Sequence, residues 1–127
     1  MILDTHILLW LVNGDPIPSK TKKAIHTSAY MAISAITAWE IFMLEKHGKV
    51  KFNIPSAAWL GQALRIYNID TIPLGISICH RSNRLAWEHR DPADRFIVAT
   101  AIETDLPLAT FDDQIIQSRV VPVAGYT

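Results

Sequence analysis

Met1-Ile2-Leu3-Asp4-Thr5-His6-Ile7-Leu8-Leu9-Trp10-Leu11-Val12-Asn13-Gly14 opens the chain and decides its architecture. Met1–Leu3 is an apolar run of strand length, and Asp4-Thr5 is a helix-starting pair whose side-chain oxygens can accept from first-turn amides. Ile7–Val12 then reads as a buried helix, stopped by Asn13-Gly14-Asp15-Pro16. A strand feeding directly into a buried helix is the start of a β-α-β unit, whose helix crosses over to a parallel neighbouring strand.

Working outward, the alternation recurs. Ser19–Ser28 reads as a helix, Tyr30–Ile33 as a strand, and Ser34 as the N-cap of a helix running to Lys46 with Gly48 as its stop. Ser56–Tyr67 sets Trp59, Leu60, Ala63, Leu64 and Tyr67 on one helical face, and Ile69–Ile72 is a strand ended by Pro73. Ile76–Trp87 carries a weaker helical pattern and Pro92–Thr104 a strong one. Leu108–Phe111 follows as a strand, Asp112–Gln117 as a short helix and Val120–Val123 as a last strand. Strands separated by helices predict an α/β fold, with a mostly parallel sheet of four to five strands covered on both faces. Ligands of such sheets gather at the carboxyl edge, so polar residues directly after strands are the first to read for function.

The 127 residues, 50% hydrophobic and 19% charged, suit a single domain spanning 1–127. Repeats, low-complexity tracts and linkers are absent from the sequence. Cys79 is the only cysteine, which excludes an internal disulfide and a cysteine zinc cluster and favours a reducing, cytoplasmic setting. The longest apolar run, Ile7–Val12, is far short of the roughly 20 residues a membrane helix needs, and Asp4 and His6 interrupt a signal-peptide pattern. No membrane association is expected. Twelve basic and twelve acidic side chains balance, so bulk charge does not mark a nucleic-acid binder. Six lysines nevertheless fall between residues 19 and 51, and four of the acids after residue 100. An anionic partner is expected to approach the lysine-rich part, unless those lysines are simply a solvated face.

Asp4 follows the first strand and Asp112 the Leu108–Thr110 strand core, which puts both at one carboxyl edge if the strands are parallel. Helix capping alone accounts for either residue singly, but not for their meeting at one place. Glu40 lies between Ile36 and Leu44 on the apolar stripe of its helix, with Trp39 and Met43 to one side and Ala38 and Glu45 nearly opposite. An unpaired carboxylate there costs several kcal/mol, so it needs a cation, a wet cleft or an arginine partner. In His89-Arg90-Asp91-Pro92-Ala93-Asp94-Arg95, Asp91 before Pro92 reads as an N-cap and Asp94 as a first-turn acid. Asp94 also shares its face with Ile97, Val98 and Ala101, so it points inward, while Glu103 falls on the solvent side. Three or four carboxylates at one sheet edge repel one another, and an oxygen-ligated divalent cation resolves that repulsion; Mg2+ or Mn2+ fits and thiol-preferring metals do not.

Other chemistries find no motif. G-x-S-x-G, G-x-x-x-x-G-K-[ST] and G-x-G-x-x-G are all missing, and the five histidines lack ligand spacing. His6 or His89 could serve as an acid or base near the acids, though an ordinary polar role is the commoner one for such a histidine. Trp10, Trp39, Trp59 and Trp87 read as core or interface anchors.

Four segments together resemble the PIN domain, and more closely the VapC-type ribonuclease toxins of type II toxin–antitoxin systems. They are Ile2–Trp10, Ile33–Ile41 with Gly48-Lys49, His89–Arg95, and Leu108-Ala109-Thr110-Phe111-Asp112. The resemblance implies a three-layer α/β/α sandwich whose acidic site uses Mg2+ or Mn2+ to hydrolyse RNA. Carried over by position, Asp4, Glu40, Asp94 and Asp112 match the family's acidic quartet, Thr5 and Thr110 are supporting hydroxyls and Asp91 is a fifth carboxylate nearby. Asp4 and Asp94 are then the main metal ligands, Asp112 a further or water-mediated one, and Glu40 a ligand or the orienter of the attacking water. Arg95 is a candidate phosphate contact or the partner of a neighbouring acid. A homodimer and a small cognate antitoxin whose C-terminal segment covers the site are also implied. The alternatives are a Mg-dependent phosphatase or phosphotransfer domain, which in the haloacid-dehalogenase pattern wants Asp where this chain has His6, and a non-catalytic module of the same fold.

Overall fold

The computed structural model describes residues 1–89 and 91–126. Four strands, β1 (Ile2–Leu3), β2 (Met31–Ser34), β3 (Ile69–Ile72) and β4 (Leu108–Ala109), form one sheet in the order β3-β2-β1-β4, every neighbouring pair parallel. Between and after them run α1 (Thr5–Asn13), α2 (Ser19–Thr27), α3 (Ala35–Lys46), α4 (Ser56–Ile66), α5 (Ile76–Arg84), α6 (Pro92–Thr104) and α7 (Asp113–Ser118).

Strand periodicity sorts the core into two layers. Leu3, Ile33, Ile69 and Ala109 pack with Ile7, Leu8, Ile41 and Leu60 on one face of the sheet. Ile2, Ala32 and Leu108, their neighbours in sequence, pack with Ile97, Val98 and Ile115 on the other. Both faces are covered, giving the expected α/β/α sandwich and explaining why β1 and β4 are apolar throughout, whereas the edge strand β3 carries exposed Asp70 and Thr71. Trp10 against Phe111 and Trp59 against Phe52, each pair with ring centroids 4.6 Å apart, anchor the first layer as expected.

The chain departs from the expected elements in three places. Val120–Val123 forms no strand, only a parallel bridge from Val123 to Leu108 flanked by Leu108 N–H to Pro122 carbonyl and Ala124 N–H to Leu108 carbonyl bonds, both 2.9 Å. Pro122 has no N–H to extend the ladder, and Gly125 turns the chain away at φ +86, where a Cβ would meet the Lys20 carbonyl oxygen at 2.9 Å. The helix expected to reach Trp87 ends at Arg84. Arg95 is the cause: its Nε donates to the Ser82 carbonyl and its Nη1 to those of Trp87 and His89 (2.9, 2.6 and 3.0 Å), holding the connection to α6 out of helical register. Finally β4 ends at Ala109, whose carbonyl accepts the Asp4 N–H at 2.9 Å, because β1 gives way to α1 there and offers no further partner.

Candidate active site

Moving from β1 to β2 to β3 the chain steps one way across the sheet, then crosses back to place β4 on the other side of β1. The topological switch point therefore lies between β1 and β4, and both strands release an acidic segment there. Asp4 caps α1, its Oδ1 accepting the Thr5 N–H at 2.8 Å, while Oδ2 accepts the Thr110 hydroxyl at 2.7 Å. Thr110 Oγ1 in turn accepts the Asp112 N–H at 3.1 Å, and Asp112 caps α7 through the Gln114 N–H at 2.8 Å.

The remaining acids arrive from helix N-terminal ends. Ser34, capping α3 through the Ile36 N–H, starts the helix at the same carboxyl edge. Its next turn presents Glu40, whose Oε1 accepts the Thr5 hydroxyl at 2.6 Å. Asp91 caps α6 through the Ala93 N–H at 3.0 Å, with Pro92 in the first turn, and Asp94 follows within that turn. His89 Nε2 lies 2.7 Å from Asp94 Oδ2, and its ring stacks on Trp87 at 4.7 Å. Asp4, Glu40, Asp91, Asp94 and Asp112 thus line a single cleft of about 290 Å3, together with Thr5, His6 and Phe111. Asp113 is exposed and outside that lining, so Asp112 is the acid that β4 delivers to it. Asp4, Asp91 and Asp112 are each both a helix cap and a lining residue, so for these three the two readings coexist.

The electrostatics are those of crowded carboxyls. Burial, then the charges of Asp4, Asp94 and Asp91, pushes Glu40 up to about 7, against the opposing Thr5 hydrogen bond. Asp94 is pushed up to about 6, by burial first and by Asp4 and Asp91, with the His89 contact opposing. Asp4 is raised as well, chiefly by burial. The cleft lining contains no lysine or arginine among the described residues to offset these charges. His89, Asp91 and Asp94 each bring a ligand atom within 4.8 Å of the others, so the donors present suit a divalent cation, mostly through oxygen with one imidazole nitrogen.

Several expectations change. Arg95 reaches neither an acid nor the cleft; its guanidinium is spent on three backbone carbonyls. The lysine-rich part is on the opposite edge of the sheet. Lys20, Lys22 and Lys23 belong to α2, which packs beside Met1, Tyr30 and Pro107 at the amino ends of the strands, and Lys46, Lys49 and Lys51 lie at or after the far end of α3. Trp39 is not a core anchor but 55% exposed. The side of α3 expected opposite Glu40 is also covered: Ala38 packs on the core and Glu45 accepts the Ser56 hydroxyl at 2.6 Å. Arg90, within the His89–Arg95 segment, lies outside the described residues. Thr37, fully buried with its hydroxyl 3.1 Å from that of Thr5, is a site residue that the sequence reading misses, although its place three residues before Glu40 on the same helix face is the available signal. A larger hollow of about 600 Å3 beside α7 collects Ile116, Val121, Pro122 and Tyr126 but no group of acids, so size alone does not mark the site.

Comparison with known proteins agrees with this geometry. Ribonuclease VapC22 of Mycobacterium tuberculosis is 29% identical over 122 residues, covering 94% of this chain and 92% of that protein. A toxin–antitoxin complex from Klebsiella pneumoniae contains a chain of the same fold, with TM-score 0.62 and 26% identity over 87% of this chain and 85% of that one. VapBC2 from Rickettsia felis, solved with a DNA fragment from its promoter, is similar in fold at TM-score 0.69 and 17% identity, over 96% and 95% of the two chains. The family model of the PIN domain matches residues 1–120, a span that contains every strand and every acid of the cleft, and the chain accordingly belongs to the PIN domain family.

Proposed function

We propose that the protein is an endoribonuclease, dependent on Mg2+ or Mn2+, that acts in the cytoplasm as the toxin of a toxin–antitoxin pair. The observation that carries this reading is the convergence of Asp4, Glu40, Asp94 and Asp112 in one cleft whose described lining has no lysine or arginine. The ribonuclease relative, matched over nearly its whole length, supports the substrate class. Asp4 and Asp94 would be the main metal ligands, with Asp112 a further one. A bound divalent cation would neutralise the scissile phosphate and lower the pKa of a water so that it attacks at neutral pH.

The chain's own groups prepare that step. Both Asp4 oxygens are fixed by donors from α1 and from Thr110, so the carboxylate cannot swing away when the cleft fills. His89 holds one oxygen of Asp94, its Nε2 lying 2.7 Å from Oδ2. Glu40 spends Oε1 on Thr5, which leaves Oε2 to orient the attacking water, and a carboxyl near pH 7 can take up its proton. Attack by water needs no 2'-hydroxyl on the substrate. RNA cut by the purified protein should therefore carry 5'-phosphate and 3'-hydroxyl ends, and a single 2'-deoxynucleotide before the cleavage position should be cut at a similar rate. Cyclic phosphate ends, or a block by that deoxynucleotide, would replace this mechanism with one based on histidine.

The toxin reading also includes a cognate antitoxin, supported by the toxin–antitoxin complex among the structural neighbours, and a homodimer. Light scattering after size exclusion should give a dimer at micromolar concentration, and co-expression with the protein of the adjoining reading frame should give a stable, inactive complex. A strict monomer unchanged by that protein would count against the assignment.

A further inference from the structure

Next to the acidic cleft lies a hollow of different chemistry. Ile36, Trp39 and Met43 form one row of α3, and Pro92 and Ala93 open α6 opposite them, enclosing an apolar slot of about 280 Å3. Glu40 and Asp91 line both this slot and the cleft, so the two share a wall. On the other sides of α3, Thr37 and Ile41 are buried, and Ala38 and Leu44 pack against the core. The exposed side of Trp39 borders the acids on one flank and continues onto Phe42, 40% exposed, on the other.

We propose that this slot receives a single nucleobase flanking the scissile phosphate of single-stranded RNA, stacked on the Trp39 indole. The proposal rests on the nuclease reading and adds to it the part of the substrate that is not phosphate. Continuity is the first argument: a phosphate held at the acids has its own base one sugar away, and the shared wall is where that base arrives. Chemistry is the second, because an indole face beside apolar side chains stacks any base, and paired bases inside an A-form duplex cannot reach it. The rim is the third. Asp91, whose Oδ1 caps α6, keeps Oδ2 as an acceptor, which favours an exocyclic amino group over a carbonyl, so adenine, cytosine or guanine should be preferred there over uracil. An apolar side chain from a partner protein would fill the slot but leave that acceptor unmatched.

Steady-state cleavage of short RNAs tests the proposal with wild type, Trp39→Ala and Trp39→Phe, alongside RNAs with one abasic position on either side of the cut. Loss of one stacked base is expected to raise KM about tenfold in Trp39→Ala with kcat within about twofold, while Trp39→Phe keeps most of the affinity. An abasic residue on one side of the cut should cost wild type the same factor and cost Trp39→Ala nothing further. Trp39 is more than half exposed, so the variants should melt like wild type. An unchanged KM, or an abasic penalty that persists in Trp39→Ala, would overturn the proposal. So would loss of antitoxin binding with RNA affinity intact, which would give the slot to a protein. If wild type cuts no RNA at all, the nuclease reading fails separately. Fluorescence anisotropy of a labelled oligonucleotide then decides the slot, with about tenfold weaker binding by Trp39→Ala supporting it and equal binding rejecting it.

Discussion

Asp4→Asn and Asp94→Asn should each abolish RNA cleavage in practice, with a loss of about three orders of magnitude or more, while the protein stays folded. The size follows from removing a charged ligand from a site where a metal supplies several kcal/mol of transition-state stabilisation. Retention of fold follows from the geometry. In Asp4→Asn the new side chain would still accept the Thr5 amide with its carbonyl oxygen and could donate its own amide to Thr110 Oγ1, so the cap and the tie to β4 both survive. Each substitution also removes one of several crowded negative charges, so melting temperatures in metal-free buffer should be equal or higher. Glu40→Gln should follow the same pattern. Glu103→Gln breaks only an exposed pair with Arg81 and should leave cleavage untouched, with at most about 1 kcal/mol of stability at stake. Circular dichroism melts beside gel-based cleavage assays provide the check. Variants that unfold but whose folded remainder cuts at the wild-type rate would make these acids caps and nothing more.

Removal of divalent ions should be equally decisive. EDTA is expected to stop cleavage and Mg2+ or Mn2+ to restore it, and the same experiment read as stability has a signed pH dependence. Glu40 near 7 and Asp94 near 6 hold protons in the folded protein that an unfolded carboxyl releases near pH 4. The stability tied to those protons is fully present below about pH 4 and is lost as pH rises through 6 to 7. Metal-free protein should therefore melt at a lower temperature at pH 8 than at pH 5. Added metal needs the ionised carboxylates, so it should raise the melting temperature strongly at pH 8 and little at pH 5. Full activity in EDTA, or a metal shift that does not grow with pH, would remove the cation from the account.

Much of this is readable from residues 1–14 alone, because a strand, an acidic cap and an apolar helix in that order permit few arrangements. The register of Glu40 on α3 and Asp94 on α6 also follows from helical spacing, and both do line the cleft. What escapes the sequence depends on contacts between distant segments. Nothing local says that Arg95 will grip three carbonyls and shorten α5, or that Val120–Val123 will be reduced to one bridge. Trp39 reads as an anchor because tryptophan usually is one; only the packing of α3 against α6 shows which of its faces is left uncovered. The lysines do fall together in the sequence, yet their position relative to the acids depends on which edge of the sheet α2 and the end of α3 occupy.

The hydrogen bond from Thr110 to Asp4 joins residues 106 positions apart, and β1 sits between β2 and β4 in the sheet. Closing that loop is among the most entropically expensive contacts in the chain, and it pairs the first strand synthesised with the last. At about 5–20 residues per second, some 5–20 s separate the appearance of Asp4 from that of Asp112 on the ribosome. Until then Asp4 lacks both its hydroxyl donor and its fellow carboxylate, however well the first β-α unit has formed. A cleft assembled in this order stays incomplete until translation has passed Asp112, so no shorter nascent chain carries all five of its carboxylates.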